Sequence, residues 1–457
     1  MEKMKRRDFI KKSAIGSAGV AIGAMGFSPK SYASILGAND RLTVSVVGLR
    51  SRGGKHISAF CTLKDSRNVR IKSICDVDEQ FFAERVKTIQ NRTGVKASTE
   101  VDMRKVLDDK DIDVVAFATP NFWHALGTIW ACQAGKHVYI EKPVSWCIDE
   151  GRKMIQAAKK YDVRVHVGTQ GRTNANTIKA MKFLQDGGIG DIYKARALVI
   201  KSRSPFGIAQ NSEPPASLHY DMWLGPVSYR PYNEKKVHYN WHWFWDTGNG
   251  ETGNTGPHML DIARWGMNKK EEHPVMAYSI GNRFAFSGCE QETPNTQSSM
   301  FKYKDNSMIE LDVRGLYSNA EADMGLRQGN IFYGTDGYLV LGLFSAWKAY
   351  RKNEKKPFVV STPEGVQEEI TLKGTEGAEH FANFLDAIRS GKDEDLNANI
   401  SDGHYAAALS HMGNISHRLG RGMQFDDAQE KFINDPEANA MLTRKKYRKP
   451  YVVPDNV

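Results

Sequence analysis

Lys142 is the residue of this 457-residue sequence best placed to do chemistry. It follows Val138–Ile140, a short apolar run of strand character, within Glu141-Lys142-Pro143, where the proline biases it towards extended backbone. A lysine at the carboxyl edge of a parallel sheet faces the crevice in which such sheets bind ligands. There it can polarise a hydroxyl or carbonyl group, and it can pass a proton once desolvation lowers its pKa. His258 is the second candidate, since an unperturbed imidazole titrates near pH ~6.5 and serves as a general base. Asp261 lies three residues further on, close enough on one helix to orient that imidazole or to cap the helix start.

The elements that must position Lys142 alternate strand with helix. Leu42–Val47 reads as a buried strand, Gly48 to Gly53 as a turn into a helix near Lys55, and Val69–Cys75 as a second strand ending at Asp76. Phe82, Val86 and Ile89 share one face of a helix that Gly94 stops. The pattern repeats through Val114–Ala118, Phe122–Ala134, Val138–Ile140, Asp149–Lys160 and Arg164–Val167, predicting a parallel sheet covered by helices. The turn departs from the dinucleotide fingerprint Gly-x-Gly-x-x-Gly, because Arg50 replaces its second glycine between Gly48 and Gly53. Arg50 or Arg52 can then contact a phosphate beside the helix-start amides around Ser51. Asp76 at the second strand end would accept ribose hydroxyls and repel a 2′-phosphate, which favours NAD over NADP.

Three motifs carry a family resemblance: Ala118-Thr119-Pro120-Asn121-x-x-His124, Glu141-Lys142-Pro143, and Gly253-Asn254-Thr255-Gly256-Pro257-His258-Met259-Leu260-Asp261. In them the chain resembles the glucose–fructose oxidoreductase / inositol dehydrogenase / MocA (Gfo/Idh/MocA) family. The resemblance implies an α/β protein: an N-terminal Rossmann dinucleotide-binding domain, then an α+β domain with an open, mostly antiparallel sheet. It implies NAD as cofactor, held by Gly48, Arg50, Ser51, Arg52, Gly53, Asp76, Thr119, Pro120, Asn121, His124, Glu141 and Lys142. The catalytic set it implies is Lys142, His258 and Asn254, with Gln170, His242, Trp243 and Asp261 on the substrate. Asn254 stands where the family usually has an acid, and an amide bonds a hydroxyl without supplying the charge that stabilises an imidazolium. Relatives associate through the open sheet, so a homo-oligomer is expected.

In the second half, strands are predicted over Asp191–Ile200, Met300–Tyr303, Met308–Val313 and Gly337–Leu343, with helices over Thr177–Gln185, His380–Arg389 and Asp402–Leu419. Tyr239, Trp241, Trp243 and Trp245 alternate with Asn240, His242 and Phe244, which as a strand would put three tryptophans on one face. Such rings stack on the C–H faces of sugars; equally, they fill a core between sheet and nucleotide domain.

Half of the net charge of +10 lies in the first 33 residues, and the remainder forms no basic stripe, so no nucleic-acid partner is read from it. Arg6-Arg7-Asp8-Phe9-Ile10-Lys11, the Ala/Gly-rich stretch Ala14–Phe27 and Ser31-Tyr32-Ala33 have the order of a twin-arginine export signal. A periplasmic protein without a stable membrane anchor is therefore expected, divided as signal 1–33, nucleotide domain 40–170 and substrate domain 171–457. The odd, scattered cysteines Cys61, Cys75, Cys132, Cys147 and Cys289 give neither a disulfide framework nor a metal site. Three functions fit: an NAD-dependent oxidoreductase on a sugar, an NAD-dependent glycosidase using transient oxidation of the sugar, and a non-catalytic carbohydrate-binding protein that keeps NAD as a structural part.

Overall fold

Short runs, mostly apolar and buried, build the first layer. In the computed structural model, which describes residues 40–316, 325–361 and 377–457, they form β1 (Leu42–Val47), β2 (Val69–Cys75), β3 (Ser98–Glu100), β4 (Val114–Phe117), β5 (His137–Ile140) and β6 (Val165–Val167). All pair in parallel in the order β3-β2-β1-β4-β5-β6. Helices α1 (Arg52–Thr62), α2 (Phe82–Thr93), α3 (Met103–Asp108), α4 (His124–Gln133) and α5 (Ile148–Lys160) connect them. Strand order reverses between β1 and β4, so the crevice that receives ligands opens at the carboxyl ends of those two strands.

Helix α6 (Ala175–Gln185) leads into β7 (Ile192–Ile200), followed by α7 (Tyr220–Leu224), α8 (Gly250–Asn254) and α9 (Gly256–Gly266). Strands β8 (Met276–Asn282), β9 (Thr296–Lys302), β10 (Met308–Arg314), β11 (Gln328–Gly334), β12 (Gly337–Gly342), β13 (Trp347–Arg351), β14 (Val359–Val360), β15 (Met423–Asp426) and β16 (Lys431–Phe432) join β7 in a ten-stranded sheet. Among the described strands of this sheet only β7 and β10 pair in parallel. Alternation is clean in β10, where Ile309, Leu311 and Val313 are buried and their neighbours are not. The buried face meets α9 and α11 (Ile400–Leu419) through Met259, Leu260, Leu409 and Met412. Residues 42–457 form one compact unit.

Two departures from the sequence reading have clear causes. The helix α10 (Ala378–Ser390), expected with the second sheet, packs on the first one, where Phe381 stacks on Tyr139 at 4.2 Å and Phe384 and Leu385 join Val44 and Val46. Amphipathic spacing defines an apolar face and not its partner. The aromatic run is no strand: His238–Trp243 is a 3-10 turn. With three residues per turn, Tyr239 and His242 come together (ring centroids 4.7 Å apart) and the i, i+2 tryptophans separate.

All five cysteines are free and buried. Among the described residues no helix is long and apolar enough to cross a membrane. The export-signal reading falls outside the described residues.

Because α10 seals the first sheet, Phe381→Ala should lower unfolding free energy by about 3–5 kcal/mol, read as a fall in denaturant midpoint at unchanged slope. A loss below about 1 kcal/mol would mean this helix is no part of that core.

Candidate active site

The site is organised around a buried carboxylate. Glu141 ends β5, and its Oε1 accepts from Arg52 Nε at 2.8 Å and from His56 Nε2 at 2.9 Å, both on α1; Gln170 Nε2 lies at 3.4 Å. Burial by itself would push this carboxyl up, but the Arg52 guanidinium and the His56 N–H outweigh it and hold Glu141 well below its ordinary value. There is no room for slack: a side chain at Gly168 would meet the carboxylate at 2.7 Å.

Lys142 is the next residue. Its Nζ donates to the Asn254 carbonyl at 2.6 Å and lies 3.5 Å from Asn254 Oδ1, so the strand end of the first sheet meets the α8–α9 corner that carries His258. Burial lowers the Lys142 ammonium to about 8, with Glu141 opposing and Arg52 assisting. Burial, then the Lys142 charge, holds the His258 imidazole well below its ordinary value, leaving it neutral at pH 7. His258 Nδ1 is buried without a hydrogen-bond partner. Asn254 Nδ2 donates to the Tyr239 hydroxyl at 3.2 Å, and the Tyr239 ring lies 5.7 Å from the Arg203 guanidinium. His242 stacks on Trp241 at 3.6 Å beside them, its imidazole lowered to about 3 by burial.

A cavity of about 630 Å³ runs from this cluster past the carboxyl ends of β1, β4 and β5 to β2 and α3. Its geometry accepts a dinucleotide. Gly48 has φ +87°, and a Cβ there would fall 2.7 Å from the Ala118 carbonyl. Gly53 lets α1 approach so closely that a Cβ would overlap the Gly48 carbonyl oxygen. No side chain caps the start of α1 and its first turn carries no acid; the Gly53 N–H donates to the Arg50 carbonyl at 3.0 Å, and the positive end of the helix faces the place of a pyrophosphate. Asp76 lines the cavity, raised by burial to about 6 although it accepts from the Leu49 and Asp78 amides. Val77, Phe81, Val101 and Met103 make an apolar end suited to a purine. A second wall comes from residues 217–245, tied to the end of β2 by Glu79 N–H to the Ser217 carbonyl (2.9 Å) and His219 N–H to the Val77 carbonyl (2.8 Å). Tyr451, near the carboxyl terminus, closes in beside Trp123 at 5.2 Å.

Of the residues singled out in the sequence, Gly48, Arg50, Ser51, Arg52, Asp76, Thr119, Pro120, His124, Glu141, Lys142, Gln170, His242, Asn254 and His258 line this one cavity. Others have different work. Asp261 is no substrate contact: it is fully buried and takes Arg172 Nε on both oxygens at 2.9 and 2.8 Å. Trp243 is buried away from the cavity, 5.3 Å from the Arg203 guanidinium, because the 3-10 turn rotates it inward. Asn121 donates to Asn249 Oδ1 and so joins the two layers, and it does not line the cavity. Arg52, on the cavity wall, pairs with Glu141. His124 sets its ring nitrogens against the Pro143 and Thr119 carbonyls at 2.7 and 2.9 Å, which fixes two strand-end turns together. Lys201 and Phe344 also line the catalytic end, without any signal in the sequence, together with Tyr239 and Trp241 of the aromatic run. Only the aromatic density around Tyr239 signalled any of them.

A groove that cradles a phosphate pair at one helix start and brings an amine and an imidazole together at its far end is the architecture of a nicotinamide-dinucleotide oxidoreductase. Residues 42–169 match the model of the oxidoreductase family's NAD-binding Rossmann fold, and residues 207–336 and 356–453 match its C-terminal alpha/beta domain. The chain belongs to the Gfo/Idh/MocA oxidoreductase family. Among curated proteins it is similar to a glycosyl hydrolase family 109 protein of Shewanella pealeana, 25% identical over 43% of this chain and 46% of that one. It is also similar to an alpha-N-acetylgalactosaminidase of Shewanella oneidensis, 25% identical over 44% and 47%. The chain thus spans about half the length of the curated relatives it matches. In fold it resembles an aldose-aldose oxidoreductase of Caulobacter crescentus complexed with glycerol (TM-score 0.62, 17% identity, covering 84% of this chain and 100% of that one). It also resembles a levoglucosan dehydrogenase complexed with NADH and levoglucosan (TM-score 0.64, 19%, 84% and 99%).

Competitive labelling with acetic anhydride, read by mass spectrometry, should give Lys142 a titration midpoint of about 8. Asn254→Asp places a carboxylate beside the amine and should raise that midpoint by ~1 unit or more. A wild-type midpoint in the ordinary lysine range, roughly 10.4, would contradict a desolvated amine.

Proposed function

We propose that the protein is an NAD(H)-dependent oxidoreductase acting on a sugar or sugar derivative. The observation that carries this is the juxtaposition of a neutral His258 with the depressed Lys142 at the aromatic end of a dinucleotide-sized groove. NAD, when bound, supplies the hydride acceptor. His258 takes the hydroxyl proton of the substrate while the carbinol C–H bond is lost as hydride, leaving a carbonyl. Lys142, held by the Asn254 carbonyl, donates towards the same oxygen and stabilises the charge that develops on it. Tyr239, Trp241 and His242 offer ring faces for the sugar, and Lys201 and Gln170 offer donors for its hydroxyls. Sugar ligands named for the fold relatives, levoglucosan among them, support this substrate class.

A second reading has its own support. The curated relatives named as glycosyl hydrolases and the two-sided cover of the groove favour a cycle in which the sugar is oxidised, the aglycone eliminated, water added and the sugar reduced again. Such a cycle requires that the cofactor stay in place, and the wall of residues 217–245 with Tyr451 supports retention. The Arg6-Arg7 leader supports twin-arginine export of the folded, loaded protein to the periplasm. On the open sheet, exposed Met276, Tyr278 and Ile280 support association of like chains.

Native mass spectrometry of the purified protein should show NAD(H) retained. Lys142→Ala should keep the nucleotide and lose roughly 10²–10⁴-fold in turnover. With nitrophenyl glycosides, release of nitrophenol without net NADH marks the redox-neutral cycle, and growth of NADH absorbance with free sugars marks the dehydrogenase. A protein that carries no nucleotide and is indifferent to Lys142→Ala would overturn both.

A further inference from the structure

Away from the groove, three donor atoms converge on one point. His273 lies just before β8, His404 on the first turns of α11, and Glu430 between β15 and β16. His273 Nε2 is 2.7 Å and His404 Nε2 2.6 Å from the same oxygen, Glu430 Oε1. The two imidazole rings cross at 86° with centroids 5.5 Å apart. Their side chains are 0% and 2% exposed and that of Glu430 12%, so only the carboxylate reaches towards solvent.

We propose that His273, His404 and Glu430 bind a divalent transition-metal ion, zinc by preference, through the two Nε2 atoms and Oε1. Two imidazoles and one carboxylate are a donor set suited to zinc and not to calcium or magnesium, which take mainly oxygen. Zinc–ligand bonds of about 2.0–2.2 Å separate tetrahedral ligands by roughly 3.3 Å, so the imidazoles need only swing about 0.6 Å from the carboxylate. Surrounding groups already hold the ligands in that pose. Arg152 Nη1 lies 3.2 Å from Oε2, which turns Oε1 alone towards the imidazoles. Asp427, in the same turn as Glu430, accepts the His273 backbone N–H at 2.9 Å. Gly151 on α5 leaves the notch that admits the His404 ring, since a Cβ there would lie 2.3 Å from His404 Nδ1. The fourth position opens at Glu430 to water. Sequence spacing gives no hint of this site, because its ligands come from three distant segments.

The ion would have a structural role. It would clamp the β15–β16 turn and the approach to β8 onto α11, the helix whose Ser410 and Asn414 bond the Thr252 and Asn249 carbonyls at the base of the catalytic corner.

Untagged full-length protein, purified without chelators, should carry about one zinc per chain by plasma mass spectrometry. After dialysis against dipicolinate it should lose several degrees in Tm and recover them on adding zinc chloride alone. Glu430→Gln keeps the shape and a hydrogen-bond acceptor, yet should weaken zinc binding by more than roughly a hundredfold while retaining NAD(H). Should that variant fail to fold, cobalt(II) titration of the metal-free wild type decides the matter through a stoichiometric d–d absorption band. No metal above background, no thermal recovery with zinc and no cobalt band would overturn the proposal, leaving a carboxylate that merely accepts from two imidazoles.

Discussion

One buried carboxylate sets the geometry of everything chemical in this protein. Glu141 sits at a strand end where water is excluded, and its charge is sustained by Arg52 and His56 from α1. Removing Arg52 leaves an uncompensated buried charge, which is among the most destabilising changes a core can suffer; removing His56 costs the carboxylate one hydrogen-bond donor. The same contact fixes the position of α1 relative to β5. It therefore couples the phosphate-facing helix start to the placement of Lys142, the adjacent residue. Phosphate grip and proton chemistry are thus aligned by a single node, not by two independent loops.

The second half of the chain completes what that node begins. Asn254 receives Lys142 through its backbone carbonyl, so the amine's position does not depend on the side chain at this position being an acid. The amide still matters electrostatically. It leaves Glu141 and Glu251 as the opposite charges that act on Lys142, and burial then prevails over their attraction. A carboxylate here would stabilise both the ammonium and a protonated His258. An amide keeps both groups nearer neutrality, which suits proton exchange with a hydroxyl close to neutral pH.

The features legible in the sequence are those whose cause is local. Gly48 and Gly53 were readable because a tight strand-to-helix turn needs missing side chains at fixed offsets, and Lys142 because a strand end locates it. Strands β1, β2, β4 and β5 announced themselves as apolar runs, whereas β3 is Ser-Thr-Glu and α3 has six residues, too polar and too short to register. Contacts that the sequence did not show are those whose partners lie far along the chain: Asp261 with Arg172, Asn121 with Asn249, Arg52 with Glu141. Each involves a polar residue whose contact is settled only once two distant segments pack. The aromatic run from Tyr239 was given the wrong conformation for another reason, since alternating aromatics fit period two while the backbone there turns every three residues.

If nicotinamide and sugar meet between Lys142 and His258, a crystal structure with NADH and a sugar bound will show it. The account requires the reacting hydroxyl to lie within about 3.5 Å of both Lys142 Nζ and a His258 ring nitrogen, with the nicotinamide ring on its other side. Nicotinamide bound elsewhere, or a sugar that leaves Lys142 on the Asn254 carbonyl with no ligand atom in reach, would contradict it.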